Sequence, residues 1–137
     1  MKRSNVQRAL DELGKKSCEF DDVLPLIQDD QLKTLVGAWL ARKPPLGRVG
    51  RELGLSYSTT YRRVEQFWGR FGRGEIEWAI RAKPFLTDTE WAILRLQKID
   101  GWNVKRAAAF LGISYHTALV LSHRANGLAD GLRKFFG

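Results

Sequence analysis

Apolar side chains recur three and four residues apart along most of the chain, the spacing of one buried helical face. Val6, Ala9, Leu10 and Leu13 predict a short helix over 4–14, with a Ser cap and a closing Gly. Val23-Leu24-Pro25-Leu26-Ile27 reads as a brief apolar turn of helix, because Pro25 is tolerated only in a first turn. Leu32, Leu35, Val36, Trp39 and Leu40 predict a stronger helix from Asp29 or Asp30, with Arg42-Lys43 at its end and Pro44-Pro45 stopping it. In the stretch 46–68, Val49, Leu53 and Leu55 are apolar, Gly54 sits where the chain must reverse, and Ser56 offers a cap to a second helix. That helix runs from Tyr57 to about residue 71, with Thr60, Val64 and Phe67 on its inner side, before Gly69, Gly72 and Gly74 break it up. Helices over 75–83, 88–99 and 104–111 follow, leading into Gly112-Ile113-Ser114-Tyr115-His116-Thr117-Ala118. At the end, Leu132, Phe135 and Phe136 are too apolar to float free, so they are expected to pack on the core or across a subunit interface.

A shift of 58 residues, from Asp30 to Asp88, lays the second half of this pattern on the first. It pairs Arg48 with Arg106, Leu53 with Leu111, Gly54 with Gly112, Ser56 with Ser114, Tyr57 with Tyr115, Thr59 with Thr117 and Gly69 with Gly127. Leu35 and Ile93 correspond, as do Leu55 and Ile113. An ungapped repeat that keeps turn glycine, cap serine and core positions predicts two copies of one supersecondary unit. The expected fold is all-α: two tandem three-helix units, at 29–74 and 75–137, behind an N-terminal helical extension at 1–28.

The stretch 46–68, with its turn Gly54, apolar Leu55 and polar Ser-Tyr-Ser-Thr-Thr-Tyr-Arg-Arg run, resembles the helix-turn-helix of bacterial and phage DNA-binding proteins. The resemblance implies that the second helix enters the major groove. Its start and the next turn would then face the bases: Ser56, Tyr57, Ser58, Thr59, Tyr61 and Arg62 in the first copy, Ser114, Tyr115 and His116 in the second. Arg62 has the paired donors that fit the O6/N7 edge of guanine. Lys43, Arg48, Arg51, Arg63, Arg70 and Arg73 are expected on phosphates, as are Lys105, Arg106 and Arg124 in the second copy, although Arg63 stands where the family usually places an apolar core residue. The run Leu86-Thr87-Asp88-Thr89-Glu90-Trp91-Ala92-Ile93-Leu94 resembles the opening of LuxR-type effector domains and of sigma-factor region 4. Those families bind promoter DNA, which implies a transcriptional setting.

Charge sharpens the picture. The net charge of +8 divides as −2 over 1–30, +7 over 31–74 and +3 over 75–137, so the excess sits on the first copy, where a polyanion would be gripped. The second copy instead presents Tyr115, His116, Leu119, Val120 and His123, a face suited to thymine methyl groups or to a protein. The five tryptophans fall at apolar helical positions and are expected mostly in the core.

No paired-carboxylate pocket, nucleophile with a base, phosphate loop or metal cluster stands out, so no catalytic residue, metal or cofactor is expected, and the chain is not read as an enzyme. His116 and His123 lie two helical turns apart without a third ligand. The single Cys18 fits a reducing compartment, and the absence of a membrane-length apolar run or signal core predicts a cytoplasmic protein without a membrane partner. The expected function is a sequence-specific, double-stranded-DNA-binding transcriptional regulator. The alternatives are a DNA architecture or processing factor (excision, partition or phage packaging) and a sigma-like protein that binds RNA polymerase. Duplex DNA is the expected partner; RNA polymerase, another regulator, or a second copy forming a homodimer are the further candidates.

Overall fold

The computed structural model describes residues 20–137. The predicted helix over 4–14, most of the extension at 1–28 and Cys18 lie outside the described residues. Every regular element among the described residues is helical, and none is long and apolar enough to cross a membrane.

A short helix α1, Phe20–Val23, runs into a 3-10 turn, Leu24–Leu26, in which Pro25 takes a first position where its missing N–H is not needed. Helix α2 is Asp30–Ala41; the Asp29 carboxylate accepts from the N–H groups of Gln31 and Leu32 at its start. Arg42 closes α2 in a left-handed conformation, so the basic pair Arg42-Lys43 falls just past the helix rather than inside its last turn. Then come α3, Leu46–Glu52, α4, Tyr57–Gly72, and α5, Glu75–Ala82. The chain finishes with α6, Asp88–Lys98, α7, Val104–Leu111, and α8, Tyr115–Phe136. Gly69 does not break α4, nor do Gly127 and Gly131 break α8; packing of the flanking turns outweighs the weak helix propensity of glycine.

Local chemistry repeats with the 58-residue offset. Helices α2 and α6, α3 and α7, and α4 and α8 all begin at positions related by it. Gly54 and Gly112 both have positive φ, 76° and 68°, where a side chain would be strained. Ser56 Oγ accepts from Thr59 N at 3.2 Å, and Ser114 Oγ accepts from Thr117 N at 3.1 Å. The Thr87 hydroxyl accepts from Glu90 N while Glu90 accepts from Thr87 N, a reciprocal cap for α6. The Thr87 N–H bonded to the Glu90 carboxyl, seconded by a hydrogen bond from the Thr87 side chain, holds that carboxyl below its ordinary pKa. The Thr and Glu of the Leu-Thr-x-x-Glu run thus have a helix-capping role in this chain.

Leu35, Leu46, Val49 and Val64 form the core between α2, α3 and α4. Ile93, Ala108 and Ala118, with Val104, Leu111 and Ile113 beside them, do the same for α6, α7 and α8. The closest approach within each trio is solved differently. A Cβ added at Gly50 would lie 2.7 Å from Thr60 Cγ2 and 2.8 Å from Thr60 Cβ, and closer still to its hydroxyl. The corresponding pair is Ala108 and Ala118, so the bulk carried by one residue in the first trio is shared between two in the second.

The trios are not separate bodies. Ile99 from the end of α6 is fully buried among Val23, Ile27, Leu32, Val36 and Phe67, and α5 supplies Ile76 to that cluster. On its other side α5 buries Trp78, Ala79 and Ala82 against Leu94, Ala125, Ala129 and Leu132. Two apolar expectations need correction. Trp68 is 46% exposed, against the edge of Trp39 and stacked on Phe71, because it flanks rather than joins the Thr60–Val64–Phe67 face. At the C terminus Leu132 is buried, but Phe135 and Phe136 are exposed on this chain, the former by 85%, since α8 outruns the surface it packs on, so packing on the core fails for these two while a subunit interface is untouched by it.

Polar bonds fix the junction between the halves. Arg70 of α4 donates from Nε to Lys98 O and from a terminal nitrogen to Ile99 O, each at 3.0 Å, satisfying carbonyls left open where α6 ends. Arg95 donates to Leu26 O at 2.6 Å. The buried Asp100 accepts from Gln28 N and Asp29 N at 2.8 and 2.7 Å through Oδ1, whereas its Oδ2 has no hydrogen-bond partner among the described residues. Burial pushes the Asp100 carboxyl above its ordinary 3.8, opposed by those two N–H groups and by Arg95. An acid raised in the folded state holds protons there more readily than when unfolded. Its contribution is therefore full below the ordinary value and is lost as pH rises through the raised one. Asp100→Asn removes this dependence, so urea titrations from about pH 3.5 to 7 should show wild type losing stability relative to the variant. Parallel profiles would refute this assignment.

Candidate nucleic-acid interface

The turn at 53–56 determines what the start of α4 presents. Leu53 and Leu55 tuck toward the trio core, Leu55 N–H reaching back to Gly50 O at 2.8 Å, and this turns Ser56 outward as the cap. Beyond the cap, Thr60, Val64 and Phe67 face inward. Helical geometry then leaves Tyr57, Ser58 and Arg62 outward, and all three are exposed, Tyr57 by 70%. Thr59 is half-buried and its hydroxyl accepts from Ser56 at 2.9 Å, so it reinforces the cap before it can serve a ligand.

Tyr57 and Tyr61 pack one turn apart, with ring centroids 4.4 Å apart and planes tilted by 39°. A side-chain hydrogen bond with Tyr57, more than burial, raises the Tyr61 hydroxyl above its ordinary pKa. The pair offers hydroxyls on an aromatic shelf, with Arg62 next to it in sequence.

The other cations differ in availability. Arg48 and Arg51 are exposed on α3, with Arg48 in a 3.4 Å pair with Glu52 that solvent weakens. Arg63 is half-buried and donates to Gln31 Oε1 at 3.0 Å, so the side chain standing at an expected core position turns toward the start of α2. In the second trio Lys105 is exposed, and Arg106 lies 3.4 Å from Asp29 with its guanidinium over the Trp102 ring at 4.0 Å. Arg106, in the first turn of α7, thus reaches across the junction to the first half. Ser114, Tyr115 and His116 are exposed there, followed by half-buried Leu119 and a Val120 that is 42% exposed.

Gln66 was not singled out by sequence pattern, yet with Arg70, an expected phosphate contact, it stands between the outward face of α4 and the second half of the chain. Its position one turn past Arg62 on an otherwise polar helix was the available signal. Comparison with protein-family models, with curated proteins and with solved structures gives no match to this chain.

Proposed function

We propose that the chain is a sequence-specific double-stranded-DNA-binding transcriptional regulator built of two tandem helix-turn-helix units. The observation that carries this reading is the outward start of α4. A serine-capped helix presents Tyr57, Ser58 and Arg62 to solvent, with Arg48 and Arg51 exposed on the preceding helix. A helix offered this way fits a major groove, and cations on both sides fit the flanking phosphates. The repeated turn glycine and cap serine support treating α6, α7 and α8 as a second such unit. Its neutral face at Tyr115, His116, Leu119 and Val120 favours weaker reading of thymine methyl groups, or contact with a protein such as RNA polymerase.

The test is titration of a labelled duplex of about 30 base pairs, then selection from random sequence. Binding at low salt is expected, with log K falling against log salt at a slope near −5 for roughly six phosphates, and selection should recover a preferred site. A chain that binds no duplex at low salt is not a DNA-binding protein.

A further inference from the structure

Two clefts beside the outward face of α4 adjoin one another. The smaller, about 110 Å³, lies at the junction and is bounded by Arg63, Arg106 and Trp102. The larger, about 540 Å³, continues past Arg62 and Arg73 toward Glu75. Gln66, Arg70 and Gly101 line both, so the two adjoin along a shared wall and together make a channel from the first half of the chain to the second.

The charges along it are unevenly engaged. Asp29 is occupied by the N–H groups of α2 through one oxygen and by Trp102 and Arg106 through the other. Glu75 pairs with Arg73 at 2.7 Å and with Lys98 at 3.7 Å, and Asp100 is buried on two backbone N–H groups. Arg62 and Gln66 are exposed and have no hydrogen-bond or ion-pair partner among the described residues; Glu65 stands at the same rim. The floor is kept low by Gly101, where a Cβ would meet the Arg70 guanidinium at 2.8 Å.

We infer that this channel seats backbone phosphate oxygens of the duplex whose bases the start of α4 reads, so that the second half grips DNA through the start of α7. The inference rests on the DNA-binding reading above. Its geometric reason is that a helix whose first turns enter a groove must leave it across the phosphate wall. From Arg62 to Arg73 the helix advances about 16 Å. One strand carries a charge every ~3.4 Å of duplex axis, so that length is enough for several consecutive phosphates and more than a single free anion needs. Guanidinium groups and an amide N–H are the donors such oxygens accept from.

Gln66→Glu tests this directly: it keeps size and helix propensity on an exposed position and places a carboxylate on the shared wall. Duplex affinity should fall about tenfold for every sequence alike, with the salt slope shallower by roughly one and the preference between sites unchanged. Arg106→Gln should weaken binding in the same sequence-independent way from the other half, and Gln66→Glu should melt like wild type. If both bind as wild type does while Arg62→Ala loses discrimination, the channel assignment is wrong and the DNA-binding reading stands. If the wild-type chain binds no duplex at low salt, both fall. Pyrophosphate binding that Gln66→Glu removes would then make the channel a seat for a free phosphate compound instead.

Discussion

Gly50→Ala is expected to destabilise the chain by about 2 kcal/mol, and Thr60→Ala introduced with it is expected to restore most of the loss. The added methyl has no free space: it meets the hydroxyl, the methyl and the Cβ of Thr60, a residue with no solvent exposure. Thr60 cannot swing aside, because its hydroxyl donates to Ser56 O at 2.8 Å and its β-branch limits it in a helix. Helices α3 and α4 must therefore separate, at the cost typical of an overpacked core, offset by the ~1 kcal/mol that Ala gains over Gly within a helix. Thr60→Ala alone leaves a gap and should cost roughly 1–2 kcal/mol. Together the substitutions recreate the Ala108–Ala118 pair found at the same register between α7 and α8. The double-mutant cycle from urea unfolding should give a favourable coupling of about 2 kcal/mol. Additive losses would mean that the two helix pairs are not packed alike, and would weaken the case for a repeat.

That pair illustrates what could be read from residues alone. Turn glycine, cap serine and inner face obey strict local rules, so the starts of α4 and α8 were visible in sequence, as was the all-helical fold. The junction was not. Asp100 meets Gln28 across 72 residues and Arg70 meets Lys98 across 28, and nothing near any of them marks it as other than a solvated charge. Arg106 shows the same limit: expected on a phosphate by pattern, it also meets Asp29 and Trp102 in the fold, contacts that no local signal marks. Aromatic residues misled for a different reason. Helical spacing fixes direction around an axis but not how far the neighbouring surface extends, which is why Trp68, Phe135 and Phe136 remain exposed.

The junction also bears on how recognition divides along the chain. Because Arg70, Arg95 and Asp100 tie the halves by direct bonds, and one apolar cluster contains residues from both, the two helix starts have a fixed relation. Under the proposed function, a duplex bound by one would meet the other at a set position. Sequence preference and general affinity should then separate by residue. Cations near the junction hold the backbone, while discrimination belongs to the start of α4.

Arg62→Ala is accordingly the substitution expected to have the largest effect on recognition. Arg62 is exposed and has no hydrogen-bond or ion-pair partner among the described residues, so its removal should leave folding unchanged within ~0.5 kcal/mol. Lost bidentate contact with a base should cost about 1–3 kcal/mol of discrimination, roughly 5- to 150-fold, confined to one position of the selected site. Arg62→Lys should recover affinity for random duplex but little of the preference, since an ammonium is a point charge without the planar fork. Leu119→Ala, one turn into α8, should lower total affinity less and change preference little. Competition titrations with single-base variants of the selected site separate these outcomes. Equal loss of discrimination at Arg62 and Leu119 would assign sequence reading to both helices and overturn the division proposed here.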